Sequence, residues 1–330
     1  MDMRTLLLLL GVLLPHFAFA APIAPTPPVG NDVCLDESSV PTVSTNLHQN
    51  MARTDSDITS DKKNFPVFFF HGLTGNSREG FNFAANLTAE GRVFVPLAFC
   101  ERECSLTALN IQVPMAIAAV RQVVANDDRF VNGYIFMGHS QGGMMARAVI
   151  EQMDDHKVHT FVSLAGALNG MFYGLQDEDR NAIHDVSTGF GAKVLPSELF
   201  NFAGYSPEGY RGKMQYDLAR RAMDPKIQAA YSIINLARTP VRDVWLETNE
   251  FLPMINNVIK CVCEANSLEE IESGYEHFTM VEMCDTVEYR EDTFGLRTLD
   301  ERGALSFYTV PGVPHCCWLY DSPKFHTEAS

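Results

Sequence analysis

The chain has 330 residues, 46% of them hydrophobic, and a formal net charge of −16 at neutral pH. A chain this acidic is repelled by phosphate backbones and by anionic lipid surfaces, which argues against nucleic acid as a partner. The length is ordinary for one α/β domain that carries an insertion.

The N-terminus predicts entry into the secretory pathway. Arg4 precedes the apolar run Leu6–Leu14, and the small-residue triplet Ala18-Phe19-Ala20 follows. A basic start, a short apolar core and an A-x-A ending are typical of a signal peptide, here residues 1–20. The alternative is a membrane anchor, which needs about 20 consecutive apolar residues, and this run is much shorter. Residues 21–63 then form a proline-rich N-terminal leader.

From residue 64 onwards, short apolar runs alternate with segments of helical spacing. The unbroken run Phe65–Phe70 fits a central parallel strand that is buried on both faces. Helical spacing over Val113–Ala125 predicts a helix with Pro114 in its first turn, since an interior proline disrupts a helix. Such alternation predicts βαβ units and a mostly parallel sheet. The other predicted elements are helices at 79–90 and 144–153 and strands at 93–97, 134–137, 159–164, 257–263 and 304–310.

The sequence Gly138-His139-Ser140-Gln141-Gly142 lies between a predicted strand and a predicted helix. In that context, G-x-S-x-G is the nucleophile elbow of an α/β-hydrolase, with the serine on a sharp, strained turn. Glycine is needed at positions 138 and 142 because side chains there would collide with the neighbouring strand and helix. We therefore predict an α/β-hydrolase fold, a mostly parallel central sheet flanked by helices, with Ser140 as nucleophile. The alternative is a chance glycine-serine turn.

Two backbone N–H groups are expected to form the oxyanion hole. One belongs to Gln141, the residue after the nucleophile, and the other comes from a loop after an early strand. The loop His71–Gly75 follows the first central strand, and Leu73 is the predicted second donor. His71 has no route to Ser140 as a base, so we expect it to brace the loop.

The alternation stops at about residues 168–257. This stretch is helical and irregular, with aromatic residues such as Phe190 and Tyr205 among polar ones. Hydrolases of this class carry a cap as an insertion late in the sheet. We therefore predict one α/β-hydrolase domain over residues 64–330, with a largely helical cap insertion at about 168–257.

The other two members of the triad are expected late in the chain, because the order in this fold is Ser, acid, His. His315 follows the last predicted strand and is the predicted base; the alternative is a structural loop histidine. Glu264 is the first carboxylate after the preceding predicted strand, and glutamate can hold the imidazole tautomer and balance its charge. The alternative is a solvated loop carboxylate, the interpretation we give to Glu269, Glu270 and Glu272.

The eight cysteines all lie downstream of the signal peptide, and an even number in an oxidising compartment favours disulfides. A zinc site is not indicated, because neither Cys261-Val262-Cys263 nor Cys316-Cys317 has the spacing of zinc ligands, and no second pair of ligands accompanies them. Asn86-Leu87-Thr88 is an N-glycosylation acceptor in a secreted chain.

The chain resembles the palmitoyl-protein thioesterase family over roughly residues 64–318. Besides the elbow, the resemblance is carried by Pro66–Gly72, by Ser163–Gly166 and, most tellingly, by Tyr289–Leu299. That last segment has an aromatic residue, an acidic pair and Gly-Leu-Arg before the final strand, which is not a general hydrolase feature.

The resemblance also bears on the triad. His315 takes the position of the family histidine, and the family aspartate falls on Glu264 in an ungapped alignment. The sequence departs from the family at Glu269 and Glu276, where the family has proline and glycine. It departs again at its end, where a polar tail, Asp321–Ser330, takes the place of the usual amphipathic helix.

The resemblance implies hydrolysis of long-chain fatty acyl thioesters, chiefly S-palmitoyl cysteines of S-acylated proteins or peptides, or acyl-CoA. It implies no metal and no organic cofactor, and a location in a lysosome-like compartment or outside the cell. Two alternatives stay open. One is a secreted lipase or esterase that acts on oxygen esters, and the other is a catalytically silent acyl-chain-binding protein.

Overall fold

A computed structural model of the chain describes residues 7–11, 64–171, 210–239, 241–258, 283–308 and 318–319. Within these residues the centre is a parallel sheet of strand order β3-β2-β4-β5-β1-β6. The strands are β1 (Leu7–Gly11), β2 (Val67–Phe70), β3 (Phe94–Pro96), β4 (Tyr134–His139), β5 (Val158–Leu164) and β6 (Leu305–Phe307).

Ten α-helical segments accompany the sheet in the described residues, and three of them lie in the chain between β2 and β5. These three are α1 (Phe81–Ala89), α2 (Leu109–Asn126) and α3 (Gln141–Gln152). The others are α4 (Tyr210–Ala222), α5 (Pro225–Gln228), α6 (Ser232–Leu236), α7 (Arg242–Thr248), α8 (Leu252–Ile255), α9 (Val287–Arg290) and α10 (Leu296–Glu301). Short 3₁₀ turns lie at Arg102–Leu106, Asp128–Phe130 and Met283–Asp285.

Helices cover both faces of the sheet, which explains why β2 is apolar at every position. Phe68 and Phe70 belong to the large core with residues of α2 and α3. Phe69 points to the other face, where its ring lies 6.1 Å from that of Phe83 on α1. Successive side chains of a strand alternate between faces, so a strand covered on both sides has no polar position. The predicted α/β-hydrolase architecture is confirmed.

Most predicted elements are present with small shifts at their ends, but the start of α2 was predicted wrongly. The helix begins at Leu109, so Pro114 lies inside it rather than in its first turn. The proline removes one intrahelical hydrogen bond, which would have reached the carbonyl of Asn110. Burial outweighs that loss, because Leu109, Val113 and Val120 are fully buried against the sheet.

Strand β1 comes from the apolar run that the sequence predicts to be a signal peptide. Its residues pair in parallel with β5 on one side and with β6 on the other. An uncharged leucine run suits a position between two parallel strands, since both faces there are apolar. The structure is that of the uncleaved chain, so removal of residues 1–20 stays a prediction, as do the leader and the domain limits. The predicted strand at 257–263 lies almost wholly outside the described residues.

The described part of the insertion is helical, as predicted, and it packs against the core. Asn235 on α6 is fully buried, and its Oδ1 accepts a hydrogen bond of 2.7 Å from the Leu109 N–H. That bond satisfies one of the N–H groups that a helix start leaves without an intrahelical partner. The insertion therefore caps α2 as well as covering it.

A buried ion pair joins the insertion to the segment before β6. Arg238 Nη2 lies 2.7 Å from Glu288 Oε1, and the Glu288 side chain is 1% exposed. The Arg238 guanidinium also stacks over the Trp245 ring at 4.1 Å and donates to Asn169 Oδ1. Burial alone would raise the pKa of Glu288, but Arg238 and further hydrogen bonds hold that pKa below its ordinary value. Removing either partner would leave a buried charge alone, which is costly.

Of the cysteines in the described residues, Cys100 and Cys104 form a disulfide, and Cys284 is exposed and unbridged. The expectation of disulfides is therefore confirmed for one pair. In the described part of the chain, no helix is at once long and apolar enough to cross a membrane.

Candidate active site

The carboxyl ends of β2 and β4 bring the predicted nucleophile and the predicted oxyanion loop together. The two strands are neighbours, and Phe70 pairs with Gly138 at their ends. The next residues are the loop from His71 and the elbow at Ser140. A Cβ atom placed on Gly72 would lie 3.2 Å from Ser140 Cβ, so the loop passes directly beside Ser140. Ligand sites of parallel α/β sheets lie at this edge.

Ser140 has the strained backbone expected of a nucleophile elbow. Its φ is 55° and its ψ is −125°, between the last residue of β4 and the first of α3. A non-glycine residue is disfavoured at such a φ, so the surroundings must impose it. They do so through the Ser140 N–H, which donates to the Leu164 carbonyl at 2.9 Å, and through the Ser140 carbonyl, which accepts from the Gly143 N–H at 3.0 Å.

The two elbow glycines are required by close backbone contacts. A Cβ atom on Gly142 would lie 2.1 Å from the Phe70 carbonyl oxygen, and one on Gly138 would lie 2.4 Å from the Gly142 carbonyl oxygen. Backbone atoms in a sheet and a helix cannot move aside, so any side chain would displace the elbow. The prediction that these positions need glycine is confirmed.

The predicted oxyanion donors flank the nucleophile. Gln141 is the first residue of α3, where N–H groups lack intrahelical acceptors and the helix dipole is positive. Leu73 lies next to Gly72 in the loop and is half-buried. Neither the Gln141 N–H nor the Leu73 N–H donates a hydrogen bond to a described residue. Both are therefore available to a ligand atom within this part of the chain.

His71 braces the loop, as the sequence indicates. The ring is 2% exposed and stacks on Phe99 at a centroid distance of 4.7 Å. Nε2 lies 2.8 Å from the Phe99 carbonyl oxygen, and Nδ1 lies 3.0 Å from the Gly72 carbonyl oxygen. Both ring nitrogens thus face backbone carbonyls, which leaves neither free to act as a base.

Glu79 is a half-buried carboxyl group that lies against the same loop. A Cβ atom on Gly75 would come within 2.5 Å of Glu79 Oε2. Burial raises the pKa of Glu79 above its ordinary value, while His71 and the N–H groups of Asn76 and Gly72 act in the opposite direction. Relative to the unfolded chain, the folded protein therefore shifts the protonation equilibrium of Glu79 toward the neutral carboxyl group.

Replacement of Glu79 by glutamine should therefore make the protein more stable at neutral pH. Because the pKa of Glu79 is raised in the folded state, Glu79 makes its full contribution to the free energy of unfolding at pH values below the pKa that it has in the unfolded chain. That contribution is lost as the pH rises through the folded value. We expect Glu79→Gln to raise Tm at pH 7 by about 1–3 °C and to change it little at pH 4. The exposed Glu103→Gln should leave both values unchanged, and an equal shift at both pH values would contradict this assignment.

The predicted base, His315, and the predicted acid, Glu264, both lie outside the described residues. Trp318, three residues after His315, is within them and is buried against Leu164 and Ala165. Leu164 is the residue whose carbonyl accepts from the Ser140 N–H. No group of three or more His, Cys, Asp or Glu side chains in the described part could hold a metal ion.

Sequence reasoning missed the segment that supports the oxyanion loop. Residues 99–105 follow β3 and carry the Cys100–Cys104 disulfide. Within this segment, Ser105 is fully buried and contacts both the loop and the elbow. The short spacing of the two cysteines is a signal that could have indicated a closed turn, whereas no pattern in the sequence indicates Ser105.

The family model described as "Palmitoyl protein thioesterase" matches residues 66–275, more than half of the chain. The chain is 27% identical to the lysosomal thioesterase PPT2-B of Xenopus laevis, over 79% of this chain and 89% of the relative. It is also 27% identical to the lysosomal thioesterase PPT2 of Homo sapiens, over 79% of this chain and 85% of the relative.

Solved structures are much less similar. The AqdC variant that cleaves the ring of the Pseudomonas quinolone signal matches with a TM-score of 0.37 at 14% identity, over 80% of this chain and 90% of that one. This structural likeness is too slight to add to the family match.

Proposed function

The chain belongs to the palmitoyl protein thioesterase family and is an enzyme of the thioesterase type, and from this premise we propose that it hydrolyses long-chain fatty acyl thioesters through Ser140, His315 and Glu264. The substrates are S-palmitoyl cysteines of S-acylated proteins or peptides, or acyl-CoA. The single observation that carries the proposal is the strained Ser140 elbow with the Gly72–Leu73 loop directly beside it.

The position of Trp318 supports His315 as the base. Trp318 packs against Leu164, and Leu164 is hydrogen-bonded to Ser140. Three residues span at most about 10 Å of extended chain, so the position of Trp318 is compatible with the proposed place of His315 at this edge of the sheet. His315 is also the histidine that follows the last predicted strand, in the order that this fold requires. Glu264 is proposed as the acid on its place in the sequence alone.

The mechanism follows from these groups. Ser140 Oγ attacks the thioester carbonyl carbon as His315 takes its proton, and the negative oxygen receives hydrogen bonds from the N–H groups of Leu73 and Gln141. The tetrahedral intermediate collapses, the C–S bond breaks, and the thiol leaves with the proton from His315. Water then attacks the acyl-enzyme with His315 as base, which releases the fatty acid and restores Ser140. Little acid assistance is needed for the first departure, since a thiol has a pKa of about 8.5.

The insertion at about 168–257 is proposed to hold the acyl chain. Each buried methylene contributes about 0.8 kcal/mol, so an apolar groove selects long chains. The sequence there combines apolar and aromatic residues, and its described part packs on the core through α6. A lysosomal or other secretory-pathway location is proposed from the signal peptide and from the names of the relatives.

The proposal is tested by comparing palmitoyl-CoA, butyryl-CoA and p-nitrophenyl palmitate as substrates of the purified protein. We expect kcat/KM to be at least about 100-fold higher for palmitoyl-CoA than for butyryl-CoA, because burial of only three or four more methylenes gives that factor. Preference for butyryl-CoA would contradict the long-chain assignment. Turnover of the oxygen ester alone would indicate a lipase or esterase, and binding without turnover would indicate an acyl-chain binder.

A further inference from the structure

Ser105 is a fully buried residue whose hydroxyl and carbonyl oxygens both form hydrogen bonds toward the active site. It lies in the 3₁₀ turn Arg102–Leu106. Its Oγ accepts a hydrogen bond of 2.6 Å from the Thr74 N–H and donates one of 2.6 Å to the Arg102 carbonyl. Thr74 follows Leu73, so this contact fixes the peptide that adjoins one proposed oxyanion donor.

The carbonyl of Ser105 binds the side chain of Gln141, the residue whose backbone N–H is the other proposed donor. It accepts from Gln141 Nε2 at 2.9 Å, from Gln112 Nε2 at 2.8 Å and from Ser232 Oγ at 3.0 Å. Gln112 Oε1 also accepts from Gln141 Nε2 at 3.2 Å. Ser105 therefore binds the Gln141 side chain through its carbonyl and the loop through its hydroxyl. The Gln141 N–H lies at the start of α3.

From this geometry we infer that Ser105 is a positioning residue that sets the spacing between the two N–H groups of the oxyanion hole. The inference rests on the proposed function, since it assigns the Leu73 and Gln141 N–H groups to the oxyanion. Ser105 does not touch the reacting atoms in this scheme. It acts by holding Thr74 with its hydroxyl and Gln141 with its carbonyl.

The segment around Ser105 holds the loop at further points. The Arg102 N–H donates to the Gly75 carbonyl at 2.8 Å, and the Ser77 N–H donates to Glu101 Oε1 at 2.7 Å. The Cys100–Cys104 disulfide closes this segment into a short covalent ring. Ser105 thus sits on a rigid support.

Rigidity of this kind matters because oxyanion donors act through geometry. Hydrogen bonds to a developing oxyanion are effective at about 2.7–3.1 Å, and loss of one donor costs about 10²–10³-fold in kcat. A misplaced donor loses part of that factor, and a shift of about 1 Å can cost about 10²-fold. Substrate binding through the acyl chain does not depend on this spacing.

The test compares Ser105→Ala with Ser232→Ala. Ser105→Ala removes the two hydrogen bonds of the Ser105 hydroxyl, and Ser232→Ala removes the one hydrogen bond of the buried Ser232 hydroxyl. Among the described residues, the Ser232 hydroxyl makes no hydrogen bond to either donor peptide. We expect Ser105→Ala to lower kcat on palmitoyl-CoA by about 10- to 100-fold, with KM changed by less than about 3-fold. Ser232→Ala should keep kcat within about 3-fold although it also lowers Tm by the loss of a buried hydrogen bond.

A fluorophosphonate provides the second measurement, because phosphonylation of Ser140 also develops negative charge on an oxygen. The labelling rate of Ser105→Ala should fall with its kcat. If wild type is labelled but does not hydrolyse palmitoyl-CoA, the thioesterase assignment fails and the labelling ratio still tests Ser105. If Ser105→Ala does not fold, Gln112→Met loosens the Gln141 side of the network and should lower the labelling rate by about 3- to 10-fold.

Three results would overturn the inference. The first is equal kcat for Ser105→Ala and wild type, and the second is an equal loss of kcat in Ser105→Ala and Ser232→Ala. The third is a wild-type protein that is not labelled at Ser140, which would remove the proposed function as well.

Discussion

Ser140→Ala is expected to lower the turnover of palmitoyl-CoA by about 10⁶-fold, the cost of removing the serine of a protease triad. The acyl-enzyme cannot form without the hydroxyl, and the oxyanion hole alone leaves only residual catalysis. The fold should not change. Alanine also has a Cβ atom, so the backbone strain at φ 55° stays as it is, and the hydrogen bonds of the Ser140 N–H and carbonyl remain.

Ser140→Gly is the matched control for that strain. It should lose as much activity as Ser140→Ala, but its Tm should rise, because glycine adopts a positive φ at no steric cost. Steady-state rates and thermal melts of both variants provide the measurement. Activity close to that of wild type in either variant would show that the elbow is not the site of catalysis.

Glu264→Gln is expected to lower kcat by about 10⁴-fold, the cost of the analogous carboxylate-to-amide change in a serine protease triad. The amide keeps the shape of the side chain but can hold His315 in the wrong tautomer. Glu269→Gln and Glu270→Gln are the matched controls and should change kcat by less than about 2-fold, as solvated carboxylates do. All three are measured on one thioester. If Glu264→Gln keeps its activity and one of the controls loses activity, the acid is another glutamate of this loop. If none of the three variants loses activity, the acid lies elsewhere in the chain.

The elbow was predictable because the residues that form it are consecutive in the sequence. Gly138, Ser140 and Gly142 follow an apolar run and precede a helical pattern, and the close contacts of both glycines are a direct consequence of the turn. The buried central strands were equally predictable, since a short unbroken apolar run such as β2 is typical of a strand that is buried on both faces.

Features that depend on distant parts of the chain were not predictable. The ion pair between Arg238 and Glu288 joins residues fifty positions apart, and nothing local marks either as buried. The same applies to Ser105, whose partners include Thr74 and Ser232. A buried serine has the same appearance in a sequence as an exposed one, so only tertiary structure distinguishes it.

The start of α2 shows tertiary packing overriding a local preference. Pro114 alone indicated a helix that begins near it, whereas the helix extends back to Leu109. Leu109 and Val113 are fully buried, and the Leu109 N–H is capped by Asn235 from the insertion. One lost hydrogen bond of about 1 kcal/mol is smaller than the gain from burying two such side chains.

The Cys100–Cys104 bridge makes the support of the loop beside Ser140 dependent on the redox state of the surroundings. Disulfides persist in the secretory pathway and outside the cell, whereas the cytosol keeps thiols reduced. A copy of this chain stranded in the cytosol would lack the covalent closure beneath its oxyanion loop. On the proposed function, such a copy should hydrolyse thioesters more slowly than a copy with the bridge formed.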